Sequence, residues 1–196
     1  MASRKLRGEN DFSGGINNEQ SPSFLNDNET VDHVGFDFDN YPTFRTRKGK
    51  VNYGASGGSV TRLLTNYREN YLFRAVGTKL QYDNSGTWTD ITGSFTNTDW
   101  DSTNFEVNGN HALILTNGTD DVKVYTGGST VSNLSANAPK GKYITADPSR
   151  VYIAKDDILY WSGYQNATDW TSAENSGFAQ YYTYNGGDIT ALFNFK

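Results

Sequence analysis

The sequence predicts an all-β chain built from repeated four-stranded units, and three observations carry that prediction. Aromatic residues make up 14% of the 196 positions, with 13 Tyr and 11 Phe beside 20 Gly. Such a composition suits pleated strands joined by tight turns. Apolar residues alternate with a period of two between clusters of Gly, Asn and Asp, and nowhere show the spacing of a helix longer than two turns. The alternating kernels also recur: Leu72 to Leu113 to Val151 gives steps of 41 and 38 residues. A period of about 40 to 45 residues with four short strands per unit is that of β-propeller blades.

Taken in order, residues 1 to about 20 read as a polar, extended arm, in which Ser13-Gly14-Gly15 turns between two apolar anchors, Phe12 and Ile16. Ser21–Asp32 holds the one short helix expected, with Asn26 or Asp27 as cap, Glu29 in its first turn and Val31 and Val34 facing inward. Gly35–Asn40 and Thr43–Gly49 alternate on either side of Tyr41-Pro42 and predict a hairpin with a basic tip. A loop, Tyr53–Gly58, completes an N-terminal region of residues 1–58.

The repeats occupy residues 59–196, in units of about 59–97, 98–139, 140–184 and a partial 185–196. Each opens on a similar strand: Ser59–Leu64, Asn104–Val107, Lys142–Thr145 and Asp188–Leu192. Val60 to Ile189 spans 129 residues, three periods of 43. In the first unit Tyr71–Phe73 runs into a Gly77 turn, Lys79–Tyr82 into a turn at Asp83–Gly86, and Trp88 and Ile91 mark the last strand. Ala112–Leu134 follows the same order with turns at Asn117-Gly118 and Gly127-Gly128, as does Val151–Trp170. Asn166–Tyr184 is the least regular segment, either a long final strand or an insertion. The fold expected is thus about three propeller-like blades and one strand of a fourth, preceded by an arm and hairpin. Three blades fall below the usual count of about four to eight. An unfinished blade exposes an edge that recruits a partner.

Bulk chemistry narrows the function. A net charge of −5 speaks against a general nucleic-acid surface. Zero cysteines exclude disulfides, thiol catalysis and thiolate metal sites. The N-terminus is basic but has no apolar run behind it, so no signal peptide is expected, and no stretch nears the length of a membrane span.

No catalytic or cofactor set stands out. His33 and His111 form no metal-binding pair, and no nucleophile elbow, P-loop or dinucleotide fingerprint is present. Asp37/Asp39 and Asp99/Asp101 offer alternating carboxylates but lack the Gly and terminal Glu of a calcium loop. Asp120-Asp121 and Asp156-Asp157 fall at the same place in successive repeats and suggest turn chemistry. Asp83–Trp88 comes near the Asp-box turn of propeller sialidases, but its Asp and Gly are three apart where that turn has them two apart. The concentrated positive charge is Arg45, Arg47, Lys48 and Lys50 at the hairpin tip, suited to phosphates or an acidic partner.

The N-terminal residues carry a resemblance. Asp11–Asn17 (DFSGGIN), Ser21–Glu29 (SPSFLNDNE) and Arg45–Gly49 (RTRKG) resemble a group of tailed-bacteriophage virion proteins with propeller-like repeats. Leu159–Gly163, Asp169-Trp170 and Gly186–Leu192 are also similar to blades of these proteins. The resemblance implies a virion protein of the neck or tail, of the nozzle or DNA-stabilising type, that assembles as a homo-oligomeric ring with other virion proteins, without catalysis or cofactor. It also implies contact with packaged DNA and assembly in the bacterial cytoplasm. On this expectation Phe12 and Ile16 anchor the arm on a neighbour, and Arg45, Arg47 and Lys48 meet an acidic ring or the DNA backbone. Ile189, Leu192 and Phe193 supply a strand to a shared blade. The alternative is a carbohydrate- or receptor-binding module of a tail tip, with Trp88, Trp100, Trp161 or Trp170 stacking on sugars.

Overall fold

Period-two patterning becomes strand nearly wherever it occurs. In the computed structural model, residues 53–68, 71–181 and 186–194 are described, and nearer the N-terminus Glu19, Phe24 and the backbone of four short strands. The chain divides into two compact units, Met1–Asn52 and Tyr53–Lys196. In the first, β1 (Gly15–Ile16) pairs in parallel with β2 (Glu29–Thr30). The expected hairpin is present as β3 (Phe36–Asn40) and β4 (Thr43–Thr46), with a register shift between Asp37 and Asn40. Glu29, expected in the first turn of a helix, is instead in strand. The β-branched Thr30 and Val31 beside it favour extended backbone, and most of that expected helix lies outside the described residues.

The second unit is three antiparallel meanders of four strands each. Blade 1 holds β5 (Thr61–Tyr67), β6 (Tyr71–Val76), β7 (Lys79–Asn84) and β8 (Thr87–Asp90). Blade 2 holds β9 (Asp101–Val107), β10 (Asn110–Thr116), β11 (Lys123–Tyr125) and β12 (Ser132–Asn133). Blade 3 holds β13 (Tyr143–Ala146), β14 (Val151–Lys155), β15 (Ile158–Trp161) and β16 (Gly177–Gln180). The described residues contain no α-helix. The turns follow from local chemistry. Ser85-Gly86 and Asn108-Gly109 join paired strands with positive φ at both residues, the two-residue turn whose twist matches that of the flanking strands.

The blades stack through their faces, and blade 2 is the middle layer. Leu113 and Leu115 of β10 enter one apolar cluster with Phe73, Ala75 and Leu80 of blade 1, joined by Tyr125. Ala112 and Ile114, the alternate residues of the same strand, enter a second cluster with Ile144, Val151 and Ile153 of blade 3. Both faces of β10 are thus buried, which explains why its sequence is a continuous apolar run rather than a strict alternation.

The fourth strand of blade 3 lies within the irregular segment Asn166–Tyr184, expected as a long final strand or an insertion, and is only four residues long. Residues 162–176 form a run of turns capped by Asn166 and Asp169, and β16 comes only after it. Asp188–Leu192, expected as a first strand, is in no ladder. A first strand pairs with the second strand of its own blade, as β13 does with β14, and the described residues after 192 supply no such partner. The loop Tyr53–Gly58 belongs with the blades and not the arm, because Tyr53 packs edge-on against Trp88 and Gly57 lies against Val76.

Candidate functional site

The first strands of successive blades are stitched together by short side chains. Ser102 Oγ donates to Thr65 Oγ1 at 3.1 Å, and Asn104 Nδ2 donates to the Asn66 carbonyl at 3.1 Å, joining β9 to β5. The Ile144 amide donates to Asp101 Oδ2 at 2.9 Å, joining β13 to β9. The segment 186–194 continues this series. The Ile189 amide donates to the Asp156 carbonyl at 2.8 Å, and Asn194 Nδ2 donates to the Ala146 carbonyl at 2.9 Å. Asp156 lies in the turn after β14 and Ala146 ends β13, so the segment runs the length of blade 3 in the direction of β13. The bond from Asn194 to Ala146 repeats the one from Asn104 to Asn66, so 186–194 takes the place of a first strand. Ile189 and Leu192 are half-buried there, whereas Phe193 is 78% exposed.

The two outward faces of the stack differ. On blade 1, Leu64, Arg74, Gln81 and Asp90 are register partners in one row across the four strands. Arg74 Nε donates to Gln81 Oε1 at 2.6 Å, Gln81 Nε2 donates to Asp90 Oδ1 at 2.5 Å, and the Arg74 guanidinium lies 4.2 Å from the centre of the Trp88 ring. Burial lowers the Arg74 pKa, and hydrogen bonds from Gln81 and Lys79 hold the Asp90 carboxyl below the usual range. The Tyr53–Gly58 loop covers this network, with the Ala55 carbonyl accepting from Arg74 and the Tyr53 hydroxyl donating to Asp83. Blade 3 turns a more apolar face outward. Its register rows run Tyr143, Ala154, Leu159, Ala179 and Thr145, Tyr152, Trp161, Gly177, opposite the face that buries Val151 and Ile153.

At the ends where β5, β9 and β13 finish, a cavity of about 1310 Å³ opens. The residues that follow these strands, Arg68, Asn108 and Asp147, line it together with Glu106 and His111, a directly opposed pair on β9 and β10. Asn104, Asn166 and Asn194 line it as well. Burial pushes the Asp147 carboxyl up, but hydrogen bonds from Ser149, Tyr152 and Arg150 outweigh it and hold the group below its ordinary range. Tyr152 is raised in turn by burial and by that carboxylate. Among the described residues no group of three or more His, Asp or Glu is placed to hold a metal ion.

Of the residues singled out in the sequence, the structure brings Ile189, Leu192 and Phe193 together on one segment against blade 3. Ile16 and Arg45 are in β1 and β4 by their backbone alone, and Phe12, Arg47 and Lys48 lie outside the described residues. The cavity was not anticipated. Its signal was the repeat itself: aligned first strands place the residues that follow them at one end of the stack, which turns Arg68, Asn108 and Asp147 into neighbours. Asp120 and Asp121, expected to serve a turn, mainly tie distant segments together, Asp120 accepting from Thr96 as well as the nearby Asn117, and Asp121 accepting from Asn133 and pairing with Lys140 at 2.9 Å.

Compared with protein-family models, with curated proteins and with solved structures, the chain matches none.

Proposed function

We propose that this chain is an assembly protein, one whose task is to join copies of itself into a ring through its stacked sheets. More particularly, it is a structural component of a tailed-bacteriophage particle, placed in the neck or tail around the DNA channel and performing no catalysis. The observation that carries the first step is the segment 186–194, which occupies a first-strand position on blade 3 while leaving Phe193 78% exposed. Within it, residues 190–193 are in no ladder, and such a stretch offers backbone donors and acceptors to an incoming strand, while exposed aromatic area supplies the apolar part of the contact. On the far face of blade 1 the Tyr53–Gly58 loop packs on Arg74 and Trp88, whereas on blade 3 it is the segment 186–194 that is presented. The occupant this favours is a sister subunit, added in the direction in which blade 3 already follows blade 2. The second step rests on the resemblance of the DFSGGIN, SPSFLNDNE and RTRKG segments to phage virion proteins.

Mass in solution tests this reading. Light scattering on a size-exclusion column should give a discrete oligomer for the full chain, and Leu192→Asp combined with Phe193→Asp should shift it to a folded monomer. A parent chain that is monomeric at tens of micromolar, or a double variant that keeps the parent mass, would refute assembly through this segment.

A further inference from the structure

We infer that the cavity at the ends of β5, β9 and β13 is a binding site for a neutral oligosaccharide, an activity independent of assembly. The size is the first argument. About 1310 Å³ exceeds the range of about 300–1,000 Å³ common for small-molecule pockets, and suits several linked sugar rings better than one compact ligand.

The lining chemistry is the second argument. Asn104 and Asn194 spend their Nδ2 groups on the carbonyls of Asn66 and Ala146, and Asn166 Oδ1 accepts from Thr168. Each amide is thereby fixed in orientation, with Oδ1 of Asn104 and Asn194 and Nδ2 of Asn166 at the opposite ends. A set of held acceptors and donors matches hydroxyl groups, which both give and take hydrogen bonds. Holding them in advance reduces the ordering cost of binding. Phe105, half-buried beside Asn104, adds an apolar surface for the C–H side of a sugar ring.

Charge is the third argument. The Arg68 guanidinium stands with the Glu106 and Asp147 carboxyls, so the cavity has no excess of positive charge. A phosphate or a polyanion would meet two carboxylates, and a cation would meet the Arg68 guanidinium. What remains is a polar, uncharged ligand rich in hydroxyls.

The test is an array of neutral and acidic oligosaccharides probed with the full chain, followed by calorimetric titration of the strongest neutral probe. Neutral probes should give the signal. Glu106→Ala with His111→Ala, an exposed pair on the cavity wall, should weaken binding at least tenfold. Lys155→Ala, at the opposite end of blade 3, should leave it unchanged. If circular dichroism shows the double variant misfolded, Glu106→Gln alone serves in its place. Silence across the neutral probes, binding confined to acidic ones, or equal affinity in parent and cavity variant would each overturn the inference.

Discussion

Asp120 shows how a single carboxylate is made to serve packing and not chemistry. Burial alone would raise its pKa, but the amide and hydroxyl of Thr96 and the side-chain amide of Asn117 donate to it, favour the charged form and hold it below the ordinary carboxylate range. The folded state therefore takes up this proton less readily than the unfolded one. Its contribution is fully present above the unfolded value, about 3.9, and is lost as the pH falls through the lower folded value. Asp120→Asn should destabilise the protein by about 1–3 kcal/mol at pH 7, the range for losing charge-assisted hydrogen bonds of a partly buried group. The gap between parent and variant in denaturant titrations should narrow as the pH is lowered toward about 2. A gap independent of pH would show that shape, and not charge, holds Thr96 in place. The sequence placed Asp120 in a turn, but Thr96 is 24 residues away, and no local pattern announces a partner at that distance.

At the scale of the element, the joint between blades 2 and 3 depends on a glycine chosen for close approach. Gly141 needs no positive φ. A Cβ there would lie 2.3 Å from the Ala154 carbonyl oxygen and 2.3 Å from Ile153 Cγ2. The Thr116 hydroxyl donates to the Gly141 carbonyl, and the next amide, of Lys142, donates to Ala154 at 2.9 Å. Gly141→Ala must push β13 away from β14 and should cost about 1–3 kcal/mol, the range for overpacking a tight site. Gly86→Ala is the informative comparison, because a Cβ there meets nothing and only its φ of +89° is unfavourable. Thermal unfolding with no loss for Gly141→Ala would mean that the two strands are not in contact as closely as described. Strands β6, β7, β10 and β14 were legible because their alternation or apolar runs are self-contained. The fourth strand of blade 3 was legible only as part of the irregular segment Asn166–Tyr184, since the Asn166 and Asp169 turns interpose residues with aromatic content but no periodicity.

For the whole molecule, the repeat period foretold the number of blades and their meander topology, because a spacing of about 40 residues leaves room for little else. It could not foretell the cavity or the stitching of the first strands, which arise only when repeats are stacked. Nor could it show that a loop packs on Arg74 and Trp88 of blade 1 while segment 186–194 lies along blade 3. That asymmetry has a kinetic consequence. Strand β10 pairs on both edges and is buried on both faces, so its amides should exchange with solvent only through large-scale opening and be the slowest in the chain. Residues 190–193, which lie in no ladder between the bonds of Ile189 and Asn194 to blade 3, should exchange quickly in an isolated subunit. If sister subunits supply the missing strand, the exchange of this stretch must slow as the protein is concentrated and assembles, while β10 stays unchanged. Hydrogen exchange measured across a dilution series separates the alternatives. Protection that rises with concentration in 186–194 alone locates the contact, whereas protection there that ignores concentration would mean the segment is secured within one chain and that assembly, if any, uses another surface.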